Sequence, residues 1–315
     1  MKIFLTIIIF SIVLFLYIHM NFHLDTSNDL EVYTIENVSK DRLEEICNLK
    51  QPVLFEYKNQ NLLENINISK LEETYGAFDV KVRNIKDEDK DNETYLPLLL
   101  SEVVKIFQNK VNNKIIIENN EDFLEETGLL RVFRYNDSFL RPPLVSICKY
   151  DFMSGSEESY TPLRYNINHR NYFLVTSGKI KLKLVPPNNG RYLQKETDYD
   201  ILEFSSPIDP WNVQDEYKPE FDKVKVLNLD LSPGQIIQIP PYWWYSIKYE
   251  KVSSICAFKY RTYMSTVSIL PKIMLGLLQQ QNIKRVIANK INFEGVNAIT
   301  NENIQEENSK NNQKN

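Results

Sequence analysis

The chain has 315 residues, a net charge of −5, only 8 glycines and 3 cysteines, and about one residue in ten is asparagine. That length holds one large β-domain with appendages. With no stretch that concentrates Lys and Arg on one face, the footprint of a nucleic-acid binder is missing, and no nucleic-acid partner is expected. Neither a G-x-x-x-x-G-K-S/T loop nor a G-x-G-x-x-G turn occurs, which argues against a phosphate-cradling nucleotide fold. Cys47, Cys148 and Cys256 are odd in number and widely spaced, so they read as free, buried thiols rather than a disulfide framework. The abundance of Asn, Ile and Lys suggests an AT-rich coding source, such as a large DNA virus or a protist.

The N-terminal run Ile3 to Met20, "IFLTIIIFSIVLFLYIHM", is apolar for 18 residues. At ~1.5 Å per residue it approaches the ~30 Å hydrocarbon thickness of a bilayer, and residues 1–20 are expected to be a transmembrane signal anchor. Lys2 precedes the run and Asp25, Asp29 and Glu31 follow it, which directs the N-terminus to the cytosol and the bulk to the lumenal or external side, in a virion or host membrane if the source is viral. No small-residue cleavage site closes the run, which weighs against a signal peptide. Asn37, Asn67, Asn92 and Asn136 each begin an N-x-S/T sequon and are the candidate glycosylation sites of a glycoprotein.

Residues 21–30 read as a polar tether. "SKDRLEEICNL" then predicts a Ser-capped helix and "QPVLFEY" a buried strand; "SKLEETYG" and "FDVKVRNI" repeat the pair. "KDEDKDNE" is a solvated loop and "LPLLLSEVVKIFQN" an amphipathic helix. From "PPLVSICKY" onward short strands dominate. "NYFLVTSGKIKLKLVPP" holds two, with a Ser-Gly turn between them and Lys179, Lys181 and Lys183 on one face of the second. "KVKVLNLDLSPGQIIQIPPYWWYSIKYE" and "SSICAFKYRTY" continue the pattern, which suggests a sandwich or small barrel. A helical segment over 266–295, with Pro271 at its start, carries an apolar stripe, and residues 296–315 are polar enough to be disordered.

In this order "QPVLFEY", "SKLEETYG", "FLRPPL", "TPLRYN", "NYFLVTSGKIKLKLVPP", "SPGQIIQIPPYWWYSI" and "CAFKYR" resemble the cupin-like, JmjC-type 2-oxoglutarate oxygenases. The resemblance runs from about Val32 to Tyr263. It implies a mainly β (α+β) fold over residues 31–265, a double-stranded β-helix with an α/β N-terminal region, to which the C-terminal helix and the transmembrane helix are added. Relatives often dimerise through C-terminal helices, so the stripe near Pro271 would pack on the barrel or on a second copy in a homodimer.

That family binds Fe(II) through two ligands at i and i+2, both pointing into the barrel because a strand has a period of two, and a distal histidine. Aligned on Thr161, the first ligand position holds Arg164, which has no lone pair to offer. The second holds Asn166, a neutral amide. The third, after the two tryptophans, holds Tyr245, whose phenol has a pKa near ~10 when unperturbed. Only three histidines exist, His19, His23 and His169, so no H-x-D/E…H set can be assembled in the barrel. Where relatives place a lysine for the co-substrate carboxylate stands Ile180, and Ala257 replaces an asparagine. Thr161 alone survives, and it reads as a strand-end hydrogen-bonding residue.

The expectation is therefore a membrane-anchored pseudoenzyme with no metal and no cofactor, acting as a structural or interaction protein whose protein partner the sequence does not name. Two other readings stay open. An inward Arg164 must find an anion or suffer desolvation, so the vestigial pocket would bind a small anion unless Glu157, Glu158 or another acid pairs with it or its head snorkels to the barrel mouth. The remaining reading is an oxygenase with a non-standard metal site. Trp243 and Trp244 are expected in core and barrel-lip packing.

Overall fold

The computed structural model describes residues 2–36, 39–84, 95–108, 115–199 and 202–282. The helices are α1 (Lys2–Leu24), α2 (Lys40–Cys47), α3 (Gln60–Asn65), α4 (Ile68–Tyr75), α5 (Leu100–Gln108), α6 (Glu121–Glu126), α7 (Leu130–Asn136), α8 (Lys218–Phe221), α9 (Tyr263–Ser268) and α10 (Leu270–Asn282). The N-terminal strands are β1 (Tyr33–Ile35), β2 (Val53–Glu56), β3 (Asp79–Asn84), β4 (Leu96–Leu99) and β5 (Ile115–Ile117). Then come β6 (Val145–Gly155), β7 (Arg164–Asn166), β8 (Arg170–Ser177), β9 (Ile180–Val185), β10 (Glu196–Asp198), β11 (Glu203–Ser205), β12 (Leu227–Leu231), β13 (Gln235–Gln238), β14 (Trp244–Tyr249) and β15 (Ser253–Thr262).

These strands form two sheets, one ordered β1-β2-β13-β8-β15-β6-β5-β3-β4 and the other β10-β11-β7-β14-β9-β12. From β6 to β9 and again from β12 to β15 the chain alternates between the sheets, which is the winding of a double-stranded β-helix. Strand periodicity divides the apolar side chains accordingly. On β14, Tyr245, Ile247 and Tyr249 point between the sheets with Ile180, Leu182 and Leu184 of β9, whereas Trp244 points outward into a cluster with Tyr165, Phe204 and Ile269. A third cluster fills the space between the larger sheet and helices α2–α7. Trp243 packs inside and Trp244 outside, so both tryptophans are packing residues.

Local chemistry explains much of this. Ser39 caps α2 by accepting from Arg42 N at 3.3 Å, and Asn67 caps α4 by accepting from Lys70 N at 2.9 Å. Between β8 and β9 the chain turns at Gly178 with φ +73°, and a Cβ there would lie 2.2 Å from Ser253 Oγ, so only glycine fits. Lys179 and Lys181 are exposed and Lys183 is half-buried, on the face opposite the interior.

Three expectations need correction. The tether is not loose: α1 continues to Leu24, and residues 25–29 are hydrogen-bonded to the domain. Lys50 Nζ donates to Asp25 O (2.8 Å), Trp243 Nε1 to Ser27 O (3.1 Å) and Gln51 Nε2 to Asp29 Oδ2 (3.0 Å). "LPLLLSEVVKIFQN" is not one helix, because Leu96–Leu99 pairs antiparallel with β3 before α5 begins at Leu100. A proline inside its first turns and an open sheet edge beside it override the helical pattern. The segment 266–295 is also divided, since α9 starts earlier at Tyr263 with a Thr262–Ser265 capping box and α10 follows separately. Its remainder and residues 296–315 lie outside the described residues, as do all of "KDEDKDNE", Asn37 and Asn92. Asn67 is half-buried, its amide engaged with Lys70 N and with Glu64 O. Asn136 is buried with its amide committed to Val132 O and Asn59, so a glycan there would have to displace packed structure. Cys47 and Cys256 are buried free thiols and Cys148 is half-buried.

Candidate functional site

The register of the smaller sheet places Tyr245 of β14 directly opposite Arg164 of β7. Both side chains enter the space between the sheets, with the Arg164 guanidinium carbon 5.9 Å from the centroid of the Tyr245 ring. The Tyr245 ring in turn lies 5.3 Å from that of Phe173. Asn166, two residues along β7, is buried on the same side; its Oδ1 accepts from Asn168 N at 3.3 Å while its Nδ2 has no hydrogen-bond partner among the described residues. Arg164 and Tyr245 thus stand opposite one another, and Asn166 is buried on the face of β7 that carries Arg164.

Arg164 is 5% exposed, and a buried guanidinium demands a counter-charge. Glu157 and Glu158, the acids nearest in sequence, do not supply it; both are exposed and Glu158 pairs with Lys248. Glu118 does. It stands just past β5, is 1% exposed, and takes a two-pronged contact from Arg164: Nη2 to Oε2 at 2.5 Å and Nη1 to Oε1 at 3.3 Å. The same Oε1 accepts from Tyr95 Oη at 2.9 Å and from Arg83 Nη1 at 3.5 Å. Sequence reasoning passed over Glu118, although an acid directly after the apolar run "III" is a recognisable sign of a charge carried inward at a strand end.

The rest of the pocket is built for packing. Ile180 and Ala257 are buried in the interior apolar cluster with Leu182, Leu184, Ile237 and Ile255. Thr161 Oγ1 accepts from Ile247 N at 2.9 Å, the strand-end role expected of it. Asp151 on β6 is a second buried carboxylate, accepting from the backbone of Asn119 (2.9 Å) and Asn120 (2.8 Å). Burial nevertheless pushes its carboxyl up to about 6. The interior hydroxyl of Tyr249 has no hydrogen-bond partner among the described residues. His169 sits outside the barrel against His23, ring centroids 4.9 Å apart, and burial holds its imidazole neutral.

An Fe(II) site of the expected type needs imidazole and carboxylate lone pairs converging on one point. Arg164 offers none and is bound to Glu118, the Asn166 oxygen is turned to a backbone amide, and the Tyr245 ring lies between Phe173 and the Arg164 guanidinium. Among the described residues no three His, Cys, Asp or Glu side chains stand close enough together to hold a metal. The residues present do not fit the metal.

Winding, sheet pairing and the position of this pocket define a protein of the double-stranded β-helix class. Residues 25–262 match the model of the cupin-like domain, and the chain belongs to that family. It is also similar to JmjC domain-containing protein D of Dictyostelium discoideum, 28% identical over 94 residues, a match that covers 30% of this chain and 21% of the relative.

Proposed function

We propose that this protein is a membrane-anchored, catalytically inactive member of its family that serves as a structural or interaction protein. The observation that carries the reading is the Glu118–Arg164 pair: the first metal-ligand position is occupied by a cation whose charge is already matched inside the fold. The same pair gives Arg164 a carboxylate partner within the fold, which weighs against the reading that it holds a small anion. Support for the anchor comes from α1, 23 residues long, apolar, and exposed from Lys2 to Ile18, with only its last turns against the domain. The Lys2-before, acids-after arrangement favours an N-terminus in the cytosol and the β-domain on the other side.

Two measurements test the reading. Purified full-length protein, offered Fe(II) and 2-oxoglutarate, is expected to retain no stoichiometric iron and to release no succinate above background; either result in the wild type overturns inactivity. In sealed vesicles the protein is expected to resist carbonate extraction. Replacing Ile9 and Leu14 with Arg costs roughly 2.5 to 3.5 kcal/mol each near a helix centre and is expected to abolish retention. Extraction of the wild type overturns the anchor.

A further inference from the structure

The end of the domain from which α1 leaves carries two features that the barrel does not explain. The first is the outward face of α10. Inward, this helix sets Ile273 on the outer apolar cluster, and Gly276 approaches so closely that a Cβ would lie 2.5 Å from Tyr199 O. Outward, Leu270, Met274, Leu277 and Leu278 recur at i, i+4, i+7 and i+8, with Leu275 beside them, each between 45% and 57% exposed. No charged residue interrupts that face between Leu270 and Gln279; Lys272, the one charge in the stretch, points inward. An uncharged apolar stripe of this kind on a short surface helix marks an interface.

The second feature lies at the root of the helix. Lys272 Nζ is 4.5 Å from the Tyr242 ring centroid and 5.7 Å from that of Phe204; Lys195 Nζ is 4.8 Å from the same Phe204 ring. Neither ammonium pairs with a carboxylate among the described residues. Burial lowers both, Lys272 to about 8, and the charge of Lys195 contributes to that shift. Lys195 and Arg191 line a cleft of about 580 Å³ together with Tyr165, Tyr242 and Trp244, and Leu24, the last residue of α1, closes its side. One acid, Asp25, also lines it, its carboxylate accepting from Thr26 N.

Position joins the two. At 23 residues, α1 is about 34 Å long, slightly more than the ~30 Å hydrocarbon core, so its last turn emerges at headgroup level. α9 packs against α1, and α10 begins one residue after α9 ends. A cationic, aromatic-lined cleft and an apolar helix face thus stand at the depth where lipid phosphates and the acyl boundary meet, the pairing of charges and apolar surface that holds interfacial helices.

We propose that this end of the domain lies on the bilayer that α1 crosses, with the outward face of α10 sunk into the interface and the Arg191–Lys195–Lys272 cluster receiving the phosphate of an anionic phospholipid. The proposal rests on the anchor reading and adds a second, peripheral contact to it. The test uses full-length protein in phosphatidylcholine vesicles with and without phosphatidylserine, carrying a fluorophore on Leu277→Cys, on Tyr135→Cys (82% exposed, on α7), or on Leu14→Cys inside α1. The unsubstituted protein, given the same labelling, corrects for reaction at Cys148.

At residue 277 the label is expected to be quenched several-fold more by spin-labelled lipid than at 135 and to be shielded from aqueous iodide. The difference should grow with phosphatidylserine and lose that growth in Lys195→Glu/Lys272→Glu. A label at 14 quenched by lipid while 277 stays open to iodide overturns this proposal and leaves the anchor standing. Absence of quenching at 14 overturns both. Shielding at 277 that persists in detergent overturns the lipid contact: with a doubled mass it assigns the face to a second copy, and in a monomer to the chain's own residues beyond 282.

Discussion

The barrel interior and the outer end beside α1 treat positive charge in opposite ways. Inside, Arg164 is matched by Glu118 through two contacts and surrounded by side chains that fill the space. Outside, Lys195 and Lys272 flank one aromatic ring with no carboxylate partner among the described residues. The difference is one of solvent. A buried ion without its partner costs several kcal/mol, so an interior that holds an arginine must also hold an acid. At the outer end Lys195 is exposed and Lys272 half-buried, so water screens the first and the second bears a partial desolvation cost that a partner arriving from outside would offset. Inside, the cation is held by the fold's own acid; outside, the cations stand open to a partner that arrives from solution or membrane.

The comparison breaks most readily at Arg164. Arg164→Ala leaves Glu118 buried opposite an empty place and is expected to lower unfolding free energy by about 3 to 5 kcal/mol in urea titration, whereas Arg164→Met combined with Glu118→Leu should recover most of the loss. If the single change is harmless, the interior charge is not held as described. Slightly smaller is the effect of opening the packed side of the pocket. Leu182→Ala should cost about 2 to 5 kcal/mol by transfer and cavity, read as a drop in denaturation midpoint at unchanged slope.

A third effect concerns pH. The folded-state pKa of Asp151 is raised above its value of 3.8 in the open chain to about 6, so the folded state holds the proton more tightly. Its unfavourable contribution is complete above about pH 6 and fades as pH falls toward 4, a change of about 3 kcal/mol in favour of the folded state. Asp151→Asn should remove that component. Between pH 7 and pH 4 the wild type should gain stability relative to the variant, and parallel pH profiles would deny the shift. The smallest loss belongs to the outer end: Lys272→Met removes a half-buried ammonium whose burial lowers its pKa to about 8, and should not destabilise the protein in detergent. A loss comparable with that of Arg164 would mean that the outer cations are structural after all.

Much of this was legible in the chain because it depends on local chemistry. The i, i+2 placement of Arg164 and Asn166 on one strand face follows from strand geometry, and whether a guanidinium or an amide can bind iron follows from its lone pairs. The apolar period of α1, the Ser39 cap and the glycine at the β8–β9 turn are likewise decided within a few residues. Other features depend on residues far apart in the chain. Glu118 and Arg164 are 46 positions apart and meet only because β5 and β7 belong to the two sheets that face each other. The strand at Leu96–Leu99 needed an open edge on β3, and the docking of residues 25–29 needed Lys50, Gln51 and Trp243 to be brought beneath them. The sequence by itself determined which side chains could not ligate a metal, because that is a property of each side chain. Only the tertiary structure decided which buried charge neutralises which, because a Coulomb partner is chosen by distance in space and not along the chain.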